Sequence, residues 1–185
     1  KTSASIVANC HKVPQSQFEK EILSVAPIEK SMQNTIDLIR KANPNCTFIF
    51  TVSPVRHIKD GFVENQRSKA HLITALQNLL STEHYKLNTE YFPSYEIMMD
   101  ELRDYRFYSE DLLHPSQTAI DYIWERFFEN YISEENFATM EKVCSIQKGL
   151  AHRSFNPESD SHQRFLKTLN DKIVKLQEQF PHFKF

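Results

Sequence analysis

Apolar positions recur along this chain with two periods, and the helical one dominates. Ile28, Met32, Ile36 and Ile39 fall at helical spacing and predict a helix over residues 28–40. Asn43-Pro44-Asn45 stops it, because proline cannot continue a helix. Residues 46–52 read as the clearest strand, β-branched and aromatic and apolar on both faces at its centre. That pattern suits an interior strand of a parallel sheet covered on both sides. A loop over 53–61 leaves this strand. The next helix, 64–80, carries Ala70, Ile73, Leu76, Leu79 and Leu80 on one stripe. Residues 89–92 predict a short strand, ended by Pro93, and Ser94 is placed to cap a helix reaching residue 102. An aromatic loop fills 104–114. The strongest amphipathic helix spans 116–131, with Ala119, Ile120, Ile123, Trp124, Phe127 and Tyr131 facing one way. Two further helices are expected over 134–147 and 161–179, the last carried by Phe165, Leu169, Ile173 and Leu176. Ahead of residue 28 the signal is weak, although Ser5-Ile6-Val7-Ala8 fits a short strand.

Strand and helix in alternation imply an α/β fold built on a parallel sheet. Two clear strands cannot bury both faces of such a sheet. The expectation is that further strands lie upstream of this chain or in its first residues.

Composition removes several function classes. A chain of 185 residues is long enough to bury a core. Its 22 basic and 24 acidic residues leave a net charge of −2, which offers no electrostatic footprint for nucleic acid or an anionic membrane. No apolar run approaches the roughly 20 residues of a membrane span, and no signal-peptide pattern opens the chain. Cys10, Cys46 and Cys144 lie far apart and are odd in number, so inert thiols in a reducing, cytoplasmic setting are expected. Only Gly61 and Gly149 occur, where average usage predicts about 13 glycines. Dinucleotide-binding loops, P-loops and Gly-x-Ser-x-Gly nucleophile elbows all need glycine for close backbone approach, so all three are excluded.

Chemistry concentrates in Asp111-Leu112-Leu113-His114-Pro115-Ser116. A neutral imidazole is a competent general base, and it needs a carboxylate to fix its tautomer. Residues three apart, in a loop leading into a helix, can fold back so that the carboxylate meets the ring. The competing reading is a surface histidine beside an aspartate that caps backbone N–H groups. A second group, Ser53-Pro54-Val55-Arg56-His57, leaves the carboxyl end of the clearest strand, where ligands collect in open α/β sheets. Arg56 there suits a substrate anion, or an acidic neighbour of its own chain. In Asn9-Cys10-His11-Lys12, Asn9 can donate to an oxyanion, while adjacent Cys10 and His11 are poorly disposed to act as a thiol pair. The charges of residues 100–106 read as a solvated ion-pair lattice. No spacing of His, Cys or carboxylate residues matches a metal site.

These stretches together resemble a known family. Ile6-Val7-Ala8-Asn9-Cys10-His11-Lys12, Phe50-Thr51-Val52-Ser53-Pro54-Val55-Arg56-His57, Asp60-Gly61 and Tyr91-Phe92-Pro93-Ser94-Tyr95-Glu96 are similar to blocks of the GSCFA family. Residues 100–108, Glu110-Asp111-Leu112-Leu113-His114-Pro115 and Tyr122-Ile123-Trp124-Glu125-Arg126-Phe127 continue the match in order, with His152-Arg153 and Phe155-Asn156-Pro157 beyond. The family looks like a divergent branch of the SGNH hydrolases.

The resemblance implies a three-layer α/β/α, flavodoxin-like sandwich, here lacking its amino-terminal strands. It implies Asp111 and His114 as the acid and base of a catalytic triad. The family's Gly-Ser-Cys-Phe-Ala motif, which carries the nucleophilic serine, does not occur in this chain. The chain is therefore expected to be the carboxyl-terminal portion of a longer serine esterase and inactive alone, with an α/β part over 1–133 and a helical extension over 134–185. Arg56, His57, Ser53 and Asn9 are expected at the substrate site, the substrate being a small-molecule or glycan ester. No cofactor, metal, nucleic acid or membrane partner is expected. Two further readings remain: a non-catalytic ligand-binding module on the same fold, and an interaction domain that self-associates through uncovered apolar surface.

Overall fold

The computed structural model describes residues 14–185, so Asn9 and the strand expected at 5–8 lie outside the described residues. The chain divides into two compact units, with the boundary between Glu125 and Arg126. In the first, helix α1 (Val25–Ala42) presents Ile36, fully buried, and Met32 to the core. Its end is set by Asn43, whose N–H bonds Ile39 O at 2.7 Å, and by Pro44 beyond it. Arg40 and Lys41 in its last turn oppose the negative end of the helix dipole.

Strand β1 (Phe48–Phe50) pairs in parallel with β2 (Thr89–Tyr91), in the register Phe48–Thr89, Ile49–Glu90 and Phe50–Tyr91. Helices α2 (Phe62–Leu80) and the short α3 (Glu83–Lys86) make the crossover between them. Alternation puts Phe48, Phe50 and Tyr91 on one face, where they pack on Ile36, Leu76 and Leu79 of α1 and α2. Ile49, on the opposite face, is 41% exposed, and Glu90 beside it is exposed too.

That one-sided cover corrects the expected three-layer sandwich. Among the described residues the structure is mostly helical, with two three-residue strands in one two-stranded sheet. The helices that flank the sheet in sequence both pack on its Phe48/Phe50 face, so among the described residues no middle layer is buried on both sides. Among the described residues β1 pairs with β2 alone and its apolar centre includes a half-exposed Ile49, so the reading of it as an interior strand is not met there.

After β2 the chain bends at Pro93 into α4 (Ser94–Glu96), which loosens into a π-helical turn over Ile97–Glu101. Met98, Leu102, Tyr108 and Ala119 form the core of this end of the unit. Ala119 lies on α5 (Gln117–Tyr131), whose Tyr122 and Ile123 join that core. Ile120 and Trp124, expected on the same buried face, are 48% and 51% exposed. In the second unit α6 (Phe137–Ala151) packs on α7 (Asp160–Gln179) through Ile146, Leu169 and Leu176. Ser159 caps α7, accepting from the His162 N–H at 3.3 Å. No described helix is long and apolar enough to cross a membrane.

Candidate active site

The segment from Tyr108 to Ser116 is a tight antiparallel loop. Tyr108 bridges Pro115, Ser109 N–H donates to His114 O at 2.8 Å, and Ser116 N–H donates to Phe107 O at 2.8 Å. Inside this frame Leu112 takes a left-handed conformation with φ 57°. That turn brings the chain back over Asp111. Asp111 Oδ1 accepts from the N–H of Leu113 at 2.9 Å and of His114 at 3.0 Å, while Oδ2 meets His114 Nδ1 at 2.6 Å. The carboxylate thus caps two backbone donors and orients the ring at once, which joins the two readings that the spacing left open.

Three converging donors stabilise the charged form of Asp111. They hold its carboxyl at about 2, the His114 and Leu113 backbone N–H groups contributing most and the His114 ring next. An ionised aspartate on Nδ1 favours the tautomer with the proton on that nitrogen, leaving Nε2 as the acceptor. The side chains of His114 and Asp111 remain 59% and 47% exposed, so the pair stands at the protein surface, open to a reactant.

The loop leaving β1 buttresses this arrangement from behind. Arg56 N–H donates to Leu113 O at 3.2 Å, its Nη1 to Leu112 O at 3.3 Å and its Nη2 to the Tyr108 hydroxyl at 2.9 Å. Its guanidinium lies 4.2 Å from the centre of the Tyr108 ring. Arg56, expected to face a substrate anion, is engaged with its own chain, and its bonds fall on the left-handed residue and the one after it.

Ser53 and His57 lie on the other flank of the same loop. Ser53 Oγ accepts from Val55 N–H at 3.2 Å, and His57 N–H donates to Asn65 Oδ1 at 2.8 Å. Both border a groove of about 1070 Å³ between α1, the end of β1, α2 and residues 20–23. The structure therefore places Asp111, His114 and Arg56 in one hydrogen-bonded assembly, with Ser53 and His57 beside the groove.

Lys69 also borders this groove, and the sequence reading passed over it. It is 4% exposed, donates to Ser53 O at 2.5 Å and lies 5.9 Å from the centre of the Tyr95 ring. Burial lowers its pKa. The signal was present in the sequence. Lys69 precedes Leu72, Ile73 and Leu76 by three, four and seven residues, so a cation sits on the apolar stripe of α2. Ala70, assigned to that stripe, is exposed instead.

Hydroxyl groups near the pair have other partners. Ser109 Oγ donates to Pro115 O at 3.0 Å, and Ser116 Oγ accepts from Ala119 N–H at 3.4 Å. Among the described residues no cluster of three His, Cys or carboxylate groups is arranged to hold a metal ion.

The assembly joins residues 53–57 to residues 108–116, two of the blocks that carry the family resemblance. The model of the GSCFA family matches residues 1–127. The chain belongs to the GSCFA family. A further match, to the C-terminal domain of GSCFA domain proteins, covers residues 143–185 of this GSCFA chain. No curated protein and no solved structure matches it.

Proposed function

We propose that Asp111 and His114 are the orienting acid and general base of a serine-type acyl-ester hydrolase. The observation that carries this reading is the 2.6 Å contact from Asp111 Oδ2 to His114 Nδ1 on a side chain that is 59% exposed. In this reading the nucleophile is a serine preceding Lys1, supplied by the family's Gly-Ser-Cys-Phe-Ala motif. Its hydroxyl proton passes to His114 Nε2 as its oxygen bonds to the ester carbonyl carbon. The carbon–oxygen bond to the alcohol then breaks, and Nε2 returns the proton to the departing oxygen. Water repeats the sequence on the acyl-serine, its proton going first to Nε2 and then to the serine, and the carboxylic acid leaves. Asp111 stays ionised throughout and balances the imidazolium formed at each step. Small-molecule or glycan esters are the proposed substrates.

Turnover of p-nitrophenyl acetate by the full-length protein tests this reading. His114→Ala is expected to abolish it, and unchanged activity would rule out His114 as the base.

A second reading, a binding module without hydrolysis, is favoured by the groove beside Ser53 and His57. Full-length protein that stays inert to serine-directed fluorophosphonates while retaining a ligand would support it.

A further inference from the structure

The groove between α1, β1 and α2 has a consistent division of character. Ile28 and Met32 from α1, Phe50 from β1, and Leu72 and Leu76 from α2 make an apolar wall. At the end of β1 the lining turns polar, through Ser53, His57 and Lys69. A volume of about 1070 Å³ exceeds what an eight-carbon chain requires.

Lys69 is the informative group. A buried ammonium is costly unless its donors are satisfied. Its Nζ carries three N–H donors, and the described residues give it one acceptor, Ser53 O at 2.5 Å, together with the face of Tyr95. Two donor directions remain for a group arriving through the groove. Two carboxylates, Glu21 and Glu64, also line the groove, that of Glu64 lying against Gly61, and neither pairs with Lys69 Nζ. A ligand that completes Lys69 is an anion with two acceptor oxygens, and a ligand that covers the wall carries a hydrocarbon chain.

We propose that this groove binds a linear carboxylic acid, with its carboxylate on Lys69 Nζ and its alkyl chain along Ile28, Met32, Phe50 and Leu72. The proposal rests on the reading of this groove as a ligand site, and its recognition chemistry uses neither Asp111 nor His114.

Octanoate and 1-octanol, titrated separately into the full chain, form the test. Octanoate is expected to saturate, at least tenfold more tightly than the alcohol, and to shift the methyl resonance of Met32. Lys69→Met keeps the length of the side chain and removes its charge. It is expected to equalise the two ligands, whereas Lys69→Arg retains the preference for the acid. His114→Ala is expected to leave octanoate binding intact while removing esterase activity, so the two proposals fail separately. The proposal is overturned if octanoate does not saturate, if it leaves Met32 unmoved, or if it binds no better than the alcohol.

Discussion

Replacing Asp111 by asparagine changes one group while keeping the shape of the loop. Asparagine Oδ1 can still accept from the N–H groups of Leu113 and His114, now found at 2.9 and 3.0 Å. The second oxygen, 2.6 Å from His114 Nδ1, becomes an NH₂ group. Two donors cannot face each other, so Nδ1 must become the acceptor and the ring proton moves to Nε2. In that tautomer Nε2 cannot receive a proton from a hydroxyl. Two of the three bonds to residue 111 survive, so the fold should persist while the base is lost. Tautomer errors of this kind in Ser-His-Asp enzymes cost about 10,000-fold in kcat. The full-length Asp111→Asn protein should therefore show a kcat on p-nitrophenyl acetate lower by about that factor, with KM little changed. Nitrogen-15 NMR of the His114 ring gives a readout independent of activity and should show the proton transferred from Nδ1 to Nε2. An unchanged tautomer, or activity within threefold of the parent, would refute the reasoning.

Other consequences concern the supports of the site and the second unit. Arg56→Ala and Arg56→Lys should both lower kcat about 10- to 100-fold by loosening the loop, since lysine replaces neither the fork nor the stacking on Tyr108. A rise in KM alone would instead mark Arg56 as a substrate ligand. Because the Asp111 carboxyl is depressed to about 2, its stabilising contribution is complete above the ordinary value of 3.8 and is lost as pH falls through about 2. The amide shifts of Leu113 and His114 should therefore titrate near pH 2, and a midpoint near 4 would contradict the hydrogen-bonding scheme. Gly149→Ala should gain up to about 1 kcal/mol in helix propensity. Its new Cβ would lie 2.6 and 3.2 Å from the two Leu169 methyls, an overpacking cost of about 1–3 kcal/mol. Urea unfolding should show a net loss of about 1 kcal/mol, and the same change in a Leu169→Ala background should be stabilising.

Local periodicity carried most of the elements, because α1, α2, α5 and α7 each bury a stripe that repeats with the helical turn. It could not say how much of a stripe is buried. Ile120 and Trp124 share the apolar arc of α5 with Ala119 and Ile123, yet only the latter pair turns inward. The sheet was misjudged on one residue, Ile49, whose apolar side chain reads as buried on either strand face. Asp111 and His114 were legible because their interaction closes within three residues. The left-handed Leu112 was not, since leucine gives no signal for a conformation that favours glycine or asparagine. The contacts of Arg56 and the burial of Lys69 were not legible for a related reason. Their partners include residues distant in the chain, Tyr108 and Leu112 for the first and Tyr95 for the second.

The Arg56 clasp also bears on how the site assembles. It joins positions 52 and 56 residues apart, whereas the Asp111–His114 contact spans three. During folding the short turn can flicker into shape within the time of a small loop closure, long before the clasp. The long contact must wait until β1 and β2 have paired and brought residues 53–57 beside 108–113. A peptide of residues 104–116 would thus hold the aspartate and the histidine without the part that keeps them still. The smallest piece able to present the pair in its finished geometry has to include both strands and the crossover between them.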